Sequence, residues 1–183
     1  MVDMTGLGEE DSMSRQMVLA ATRNKGGLGM NRQHEDSGSD VLRMLGVLLG
    51  ICWTLPNSVL GVLAGVACMP WGARPEWRWR ECALAFRCMP APGAGGALTL
   101  GNVILYSSRE LDTPCFTYAH RAGHACEPHI SLADHERAHV YQYMVLGPLF
   151  LPLYALCGGI SVRNRFERAA DRYAQHHQGW WPW

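Results

Sequence analysis

Ser131-Leu132-Ala133-Asp134-His135-Glu136-Arg137-Ala138-His139 carries both a fold instruction and a chemical one. The Ser-x-x-acid opening is the signature of a helix N-terminus, because the serine hydroxyl can accept from the backbone N–H three residues on. The helical pattern then continues until Gly147-Pro148 stops it. On such a helix His135 and His139, four residues apart, lie one above the other on a single face, so two imidazoles can share one cation. Glu136 stands about 100° round the helix from His135, near enough to address a water on that cation without binding the metal itself. This is the His-Glu-x-x-His spacing of a zinc hydrolase. Zinc lowers the pKa of its water, and the carboxylate takes the proton as a carbonyl is attacked.

Working outward toward the C-terminus, 143–160 is an uncharged stretch of 18 residues interrupted by Gly147, Pro148, Pro152, Gly158 and Gly159. It reads as buried, or as dipping into a bilayer surface. Asn164 then caps a last helix running to about His177 and closed by Gly179, followed by Trp180-Trp181-Pro182-Trp183. Glu167 lies on this helix, 28 residues after His139. A catalytic zinc needs a third protein ligand and an open position, and Glu167 is the candidate for it. Asp171, one turn further on, can hydrogen-bond a ligating imidazole from behind. The plainer readings are that Glu167 completes a capping box with Asn164 and that Asp171 pairs with Arg168 or Arg172 on a solvated face.

These residues resemble a known pattern. His135-Glu136-Arg137-Ala138-His139 followed by Glu167-x-x-Ala170-Asp171-Arg172-Tyr173-Ala174 is similar to the gluzincin clan of metallopeptidases. In particular it is similar to the membrane zinc peptidases of the CAAX-prenyl-protease and heat-shock-protein-X type, whose third ligand opens a Glu-x-x-Ala-Asp pattern. Trp53-Thr54-Leu55-Pro56-Asn57, Gly96-Ala97-Leu98-Thr99-Leu100-Gly101 and Leu146-Gly147-Pro148-Leu149-Phe150-Leu151-Pro152 also resemble small uncharacterised bacterial membrane-associated proteins with this metal signature. The resemblance implies zinc as cofactor, peptide or protein as substrate, and 97–106 as the strand that aligns an extended peptide over the metal. Arg137 departs from the pattern, where an apolar residue is usual; it either faces solvent or meets Asp134. Tyr141, Tyr143 and Tyr173 are the hydroxyls open as oxyanion stabilisers. A non-catalytic protein in which the metal only clips two helices together is the rival reading.

Toward the N-terminus, 79–88 and 97–106 read as two strands paired as a hairpin around the turn-rich 89–96, and 107–130 reads as a loop. That loop holds Cys115, His120, His124, Cys126 and His129, open to a structural zinc, to a Cys115–Cys126 disulfide or to plain loop polarity. Upstream, 44–69 is a run of 26 residues without a formal charge, more than the roughly 20 a bilayer-crossing helix needs. Leu55-Pro56-Asn57-Ser58 interrupts it, leaving a kinked span, a re-entrant hairpin or two buried core helices. A signal sequence ending near Cys68 is a further alternative. Trp53, Trp71, Trp77 and Trp79 suit a headgroup interface. Lys25, Arg32 and Arg43 before the run are slightly outweighed by Arg74, Arg78, Arg80 and Arg87 after it. That balance puts the C-terminal domain in the cytoplasm, at a bacterial inner membrane by the resemblance.

Residues 1–40 are polar and Gly/Ser/Asp-rich and read as a disordered arm. With 16 basic and 16 acidic residues there is no global field to draw nucleic acid. Seven cysteines, an odd number without regular spacing, make no disulfide framework. The expected organisation is therefore an arm (1–40), a membrane-associated helical segment (41–71) and a small α+β zincin-like domain (72–183). The domain would comprise an active-site helix, a short β-hairpin and a C-terminal ligand helix.

Overall fold

The computed structural model describes residues 41, 42, 44–90, 96–124, 126 and 129–183. The expected arm at 1–40 and part of the 89–96 loop lie outside the described residues. Residues Val47–Trp183 form one compact unit of mixed α and β structure.

Helices α1 (Met44–Trp53) and α2 (Leu55–Ala67) meet at a bend of 67° around Thr54. Pro56, in the first turn of α2, explains the break. Its ring clashes with the carbonyl four residues back and it lacks the N–H to continue the α1 ladder, whereas at a helix start that N–H has no intrahelical partner to lose. Among the described residues no single helix is long and apolar enough to cross a membrane. A 3-10 turn (Met69–Trp71) leads into β1 (Arg74–Arg78), followed by β2 (Ala83–Arg87), β3 (Ala97–Leu100) and β4 (Val103–Tyr106). The sheet order is β1-β2-β4-β3, with β2 and β4 parallel and the other pairs antiparallel.

This corrects the expected hairpin. Residues 97–106 are two strands, not one, folded at Gly101-Asn102 with Leu100 opposite Val103. Gly101 takes φ +64° there, and a Cβ on it would sit 2.3 Å from Ser58 Oγ. Only glycine allows both the conformation and the approach. Strand 79–88 begins at Ala83, and β1, an edge strand containing Pro75, had no alternating pattern to announce it.

The sheet is covered on both faces, which is why β4 reads Val-Ile-Leu-Tyr without a polar residue. Ala83, Ala85, Ile104 and Tyr106 point to one face, against Leu132, Ala133 and Val140. Phe86, Val103 and Leu105 point to the other, against Val62 and Ala64 of α2. The segment 107–130 is not all loop: β5 (Pro114–Cys115) pairs with β6 (Ile130–Ser131), and a short helix α3 (Tyr118–Arg121) lies between them.

Beyond β6 runs α4 (Leu132–Leu146), with Ser131 Oγ accepting from Asp134 N–H at 3.3 Å as its spacing predicts. A 3-10 turn (Gly147–Leu149) and α5 (Phe150–Leu156) follow. The final helix, α6 (Arg165–His176), is capped by Asn164 Oδ1 accepting from Phe166 N–H at 3.0 Å. His177 leaves it in the left-handed conformation. Ala138 and Ala170 are fully buried where α4 and α6 pack, flanked by Tyr173, Tyr141 and Trp180. Small side chains at that contact let the two backbones approach closely.

Candidate metal centre

Helix α4 is unusual in what it buries. His135, Glu136, Arg137, His139 and Gln142 are all buried, a set that would be costly in a protein interior without partners. Each has them. His135 Nε2 and His139 Nε2 lie 3.2 Å apart, and Glu167 Oε2 from α6 comes within 3.2 Å of the first and 3.4 Å of the second. His135, His139 and Glu167 thus form a buried group able to hold a metal ion. Glu167 Oε2 is buried with no hydrogen-bond donor aimed at it. An orphaned carboxylate oxygen facing two ring nitrogens is what a cation would satisfy.

The far side of each imidazole is tied down. Gln142 donates from Nε2 to the carbonyls of Phe166 (3.2 Å) and Trp180 (2.8 Å), so its Oε1, 2.8 Å from His139 Nδ1, faces the ring as an acceptor. Nδ1 of His139 therefore carries the proton and Nε2 is left with its lone pair. On His135, Nδ1 lies 3.0 Å from Asp171 Oδ1, close although not linear enough for a good hydrogen bond. A carboxylate accepts only, which again directs the Nε2 lone pair to the shared site. Asp171 is itself held by the Tyr118 N–H, which donates to Oδ2 at 2.8 Å. Tyr154, from α5, donates to Glu167 Oε1 and leaves Oε2 as the oxygen directed at the imidazoles.

Glu136 is buried beside this group and accepts from Thr99 Oγ1 on β3 at 2.6 Å. A cavity of about 250 Å³ opens over His135, Glu136, His139 and Glu167. Its apolar rim includes Leu98, Phe116, Leu151 and Ile160. The site's electrostatics follow from three carboxylates, Glu136, Glu167 and Asp171, around two imidazoles. Burial would lower His135, but Asp171 and Glu167 outweigh it and raise the imidazole to about 10. His139 is also raised, with burial opposing and Glu167 prevailing. Glu167, despite burial, is held well below the usual carboxylate range by His139 and His135. Such a surplus of negative charge favours a divalent cation.

All four expected site residues and Asp171 therefore come together. Arg137 does not face solvent: it is buried, with its guanidinium 3.0 Å from Asp134 Oδ1 and 3.0 Å from Glu81 Oε1. Of the three tyrosines considered, only Tyr143 lines the cavity. Its hydroxyl is buried without a hydrogen-bond partner, and burial raises its pKa. Tyr141 and Tyr173 pack against each other, ring centroids 5.8 Å apart. Cys115 and Cys126 are both free thiols, the first pushed up to about 11 by burial. Phe116 has its ring 4.3 Å from that of His120 and 4.2 Å from that of His129, and no second metal-binding group occurs among the described residues. His176 and His177 are exposed. Gln142, Thr99 and Tyr154 escaped the sequence reading. Gln142 carries a signal, being three residues after His139 on the same helix.

Comparisons of the chain with family models, with curated proteins and with solved structures find no match.

Proposed function

We propose that this chain is a membrane-associated zinc metallopeptidase of the gluzincin kind, with a zincin-like arrangement of α4, β3 and α6. The observation that carries the reading is the triangle of His135 Nε2, His139 Nε2 and Glu167 Oε2, with edges of 3.2, 3.2 and 3.4 Å. Ligand atoms at about 2.0–2.1 Å from a tetrahedral zinc are separated by roughly 3.3 Å, so these three atoms are spaced as they would need to be to hold one. Zinc in that position supplies a Lewis acid and a water acidic enough to lose its proton near neutrality.

The chain's own residues supply the rest. His135 and His139 present Nε2 because Asp171 and Gln142 occupy their Nδ1 sides. Glu136 takes the proton from the attacking water, and Thr99 orients its carboxylate. Tyr143, which lines the cavity and whose hydroxyl is buried without a partner, would be the donor to the carbonyl oxygen as charge develops there. Strand β3 is an edge strand beside the cavity, so an extended peptide can pair with it. Peptide or protein is thus the substrate class, and the bilayer of a bacterial inner membrane, with the domain on its cytoplasmic face, the setting.

The test is hydrolysis of a quenched-fluorescence peptide library by purified full-length protein and its Glu136→Gln variant, with zinc measured in both. We expect equal zinc and a rate lower by about 10²–10⁴ in the variant, the usual contribution of a positioned base. Zinc in both with no hydrolysis by either would mean that the metal only clips α4 to α6. Undiminished hydrolysis in the variant would remove Glu136 from the mechanism.

A further inference from the structure

Helix α2 is packed inside out. Its buried residues are Asn57, Ser58, Gly61 and Gly65, whereas Leu55, Val59, Leu60, Leu63 and Val66 stand 50–61% exposed. A helix on a water-facing domain does the reverse. Polar groups on the inner side meet partners in the domain: Asn57 Nδ2 donates to Gly147 O at 3.0 Å, and Ser58 Oγ accepts from Asn102 N–H at 2.9 Å. At Gly65 a Cβ would lie 2.3 Å from the Phe86 ring, so the helix is pressed onto the sheet. Small and hydrogen-bonding residues inward with large aliphatics outward is the arrangement that hydrocarbon surroundings select.

We propose that the outer face of α2, continued by Leu48, Leu49 and Trp53 of α1, docks the protein into one leaflet of a bilayer without crossing it, and that the cavity opens at that surface. Three features favour lipid in a one-leaflet mode. One side of α2 is covered by β3, β4 and the Gly147–Leu149 turn along much of its length, so only half its circumference is free to meet acyl chains. With α2 (13 residues) and α1 bent 67° from one another, the pair spans at most about 29 Å end to end at 1.5 Å per residue, leaving no length to spare against a hydrocarbon core of roughly 30 Å. Just beyond α2, Trp71 and Trp79 are 73% and 82% exposed next to the exposed Arg74 and Arg80, the aromatic and basic pairing of a headgroup layer.

The cavity adjoins this surface. Leu98 of β3 and Leu151 of α5 are exposed members of its rim, and β3 and the turn leading into α5 both pack on α2. Trp53 lies against Gly147 of that turn, and Leu149 beside it is 58% exposed. Resting on the peptidase reading, the substrate is then a polypeptide segment lying extended at the bilayer surface.

The experiment is flotation of the full-length protein with sealed vesicles of phosphatidylcholine and phosphatidylglycerol, with and without the paired substitutions Leu60→Glu and Leu63→Glu. Circular dichroism checks the fold independently of any metal. The wild type should float and the folded double variant should lose flotation to background. Protease added outside should remove tags at both ends of the vesicle-bound wild-type chain; protection of one tag would show a crossing and overturn the proposal, and this arm needs no variant. Failure of the wild type to float, or a soluble dimer by light scattering that the double variant splits, would likewise overturn it. None of these outcomes depends on zinc or hydrolysis, so the peptidase reading stands or falls separately.

Discussion

Helices α2 and α4 both bury their polar residues, yet for different physical reasons. On α4 the buried groups are ionisable: His135, Glu136, Arg137 and His139, with Asp171 and Glu167 brought from α6. His135, His139 and Glu167 converge on a point, with Glu136 and Asp171 beside them, while Arg137 pairs aside with Asp134 and Glu81; the carboxylate surplus at that point favours a cation. On α2 the buried groups are small and neutral and converge on nothing: Asn57 donates to the Gly147 carbonyl, and Ser58 accepts from the Asn102 N–H. What is anomalous there is the outer face. Buried polarity thus marks a site when the groups aim at one another, and marks unusual surroundings when the apolar residues have gone to the other side.

Substitutions on the two helices should separate these meanings. On the α4–α6 side, Asp171→Asn keeps an acceptor for the Tyr118 N–H but weakens the hold on His135 Nδ1. Metal affinity should fall about 10–100-fold, read by competition with a chromophoric chelator, with the unfolding midpoint of the metal-free protein little changed. Equal affinity would mean that Asp171 does not orient the ring. On the α2 side, Gly65→Val should do the opposite. With Phe86 in the way, stability should drop by about 1–3 kcal/mol in denaturant titrations while the metal stays as tightly bound as before.

A smaller effect sharpens the electrostatic half of the contrast. Without metal, His135 is raised to about 10 by Asp171 and Glu167, against burial, so at pH 7 it carries a proton that a cation must displace. The extra stability of that protonated state is present below the imidazole's unfolded value near 6.5 and fades as pH rises through about 10. Metal affinity should therefore rise by about tenfold per pH unit between 7 and 9 for each proton released. Calorimetry in buffers of different ionisation enthalpy would count that proton, and a count of zero would contradict the assigned charge state.

Much of the candidate site could be read directly, because a helix repeats at a fixed pitch: Ser131 caps where its spacing says, and His135 and His139 share a face. Glu167 and Asp171 could be aligned on their own helix for the same reason. Contacts between distant segments carry no such period. Nothing local says that Arg137 is buried against Glu81, 56 residues earlier, or that Tyr154 reaches Glu167. The sheet departs from expectation at Gly101-Asn102, where a two-residue turn interrupts an apolar run. A Gly-Asn pair between strands is itself a hairpin signal, here masked by the continuous apolar pattern on either side of it.

In the proposed centre, three side chains from two helices hold one zinc. Elemental analysis of full-length wild type and of Glu167→Ala, purified in parallel without added metal, addresses it most directly. One zinc per chain in the wild type and little or none in the variant is the predicted result. No stoichiometric zinc in the wild type, or an undiminished amount after Glu167 is removed, would contradict it.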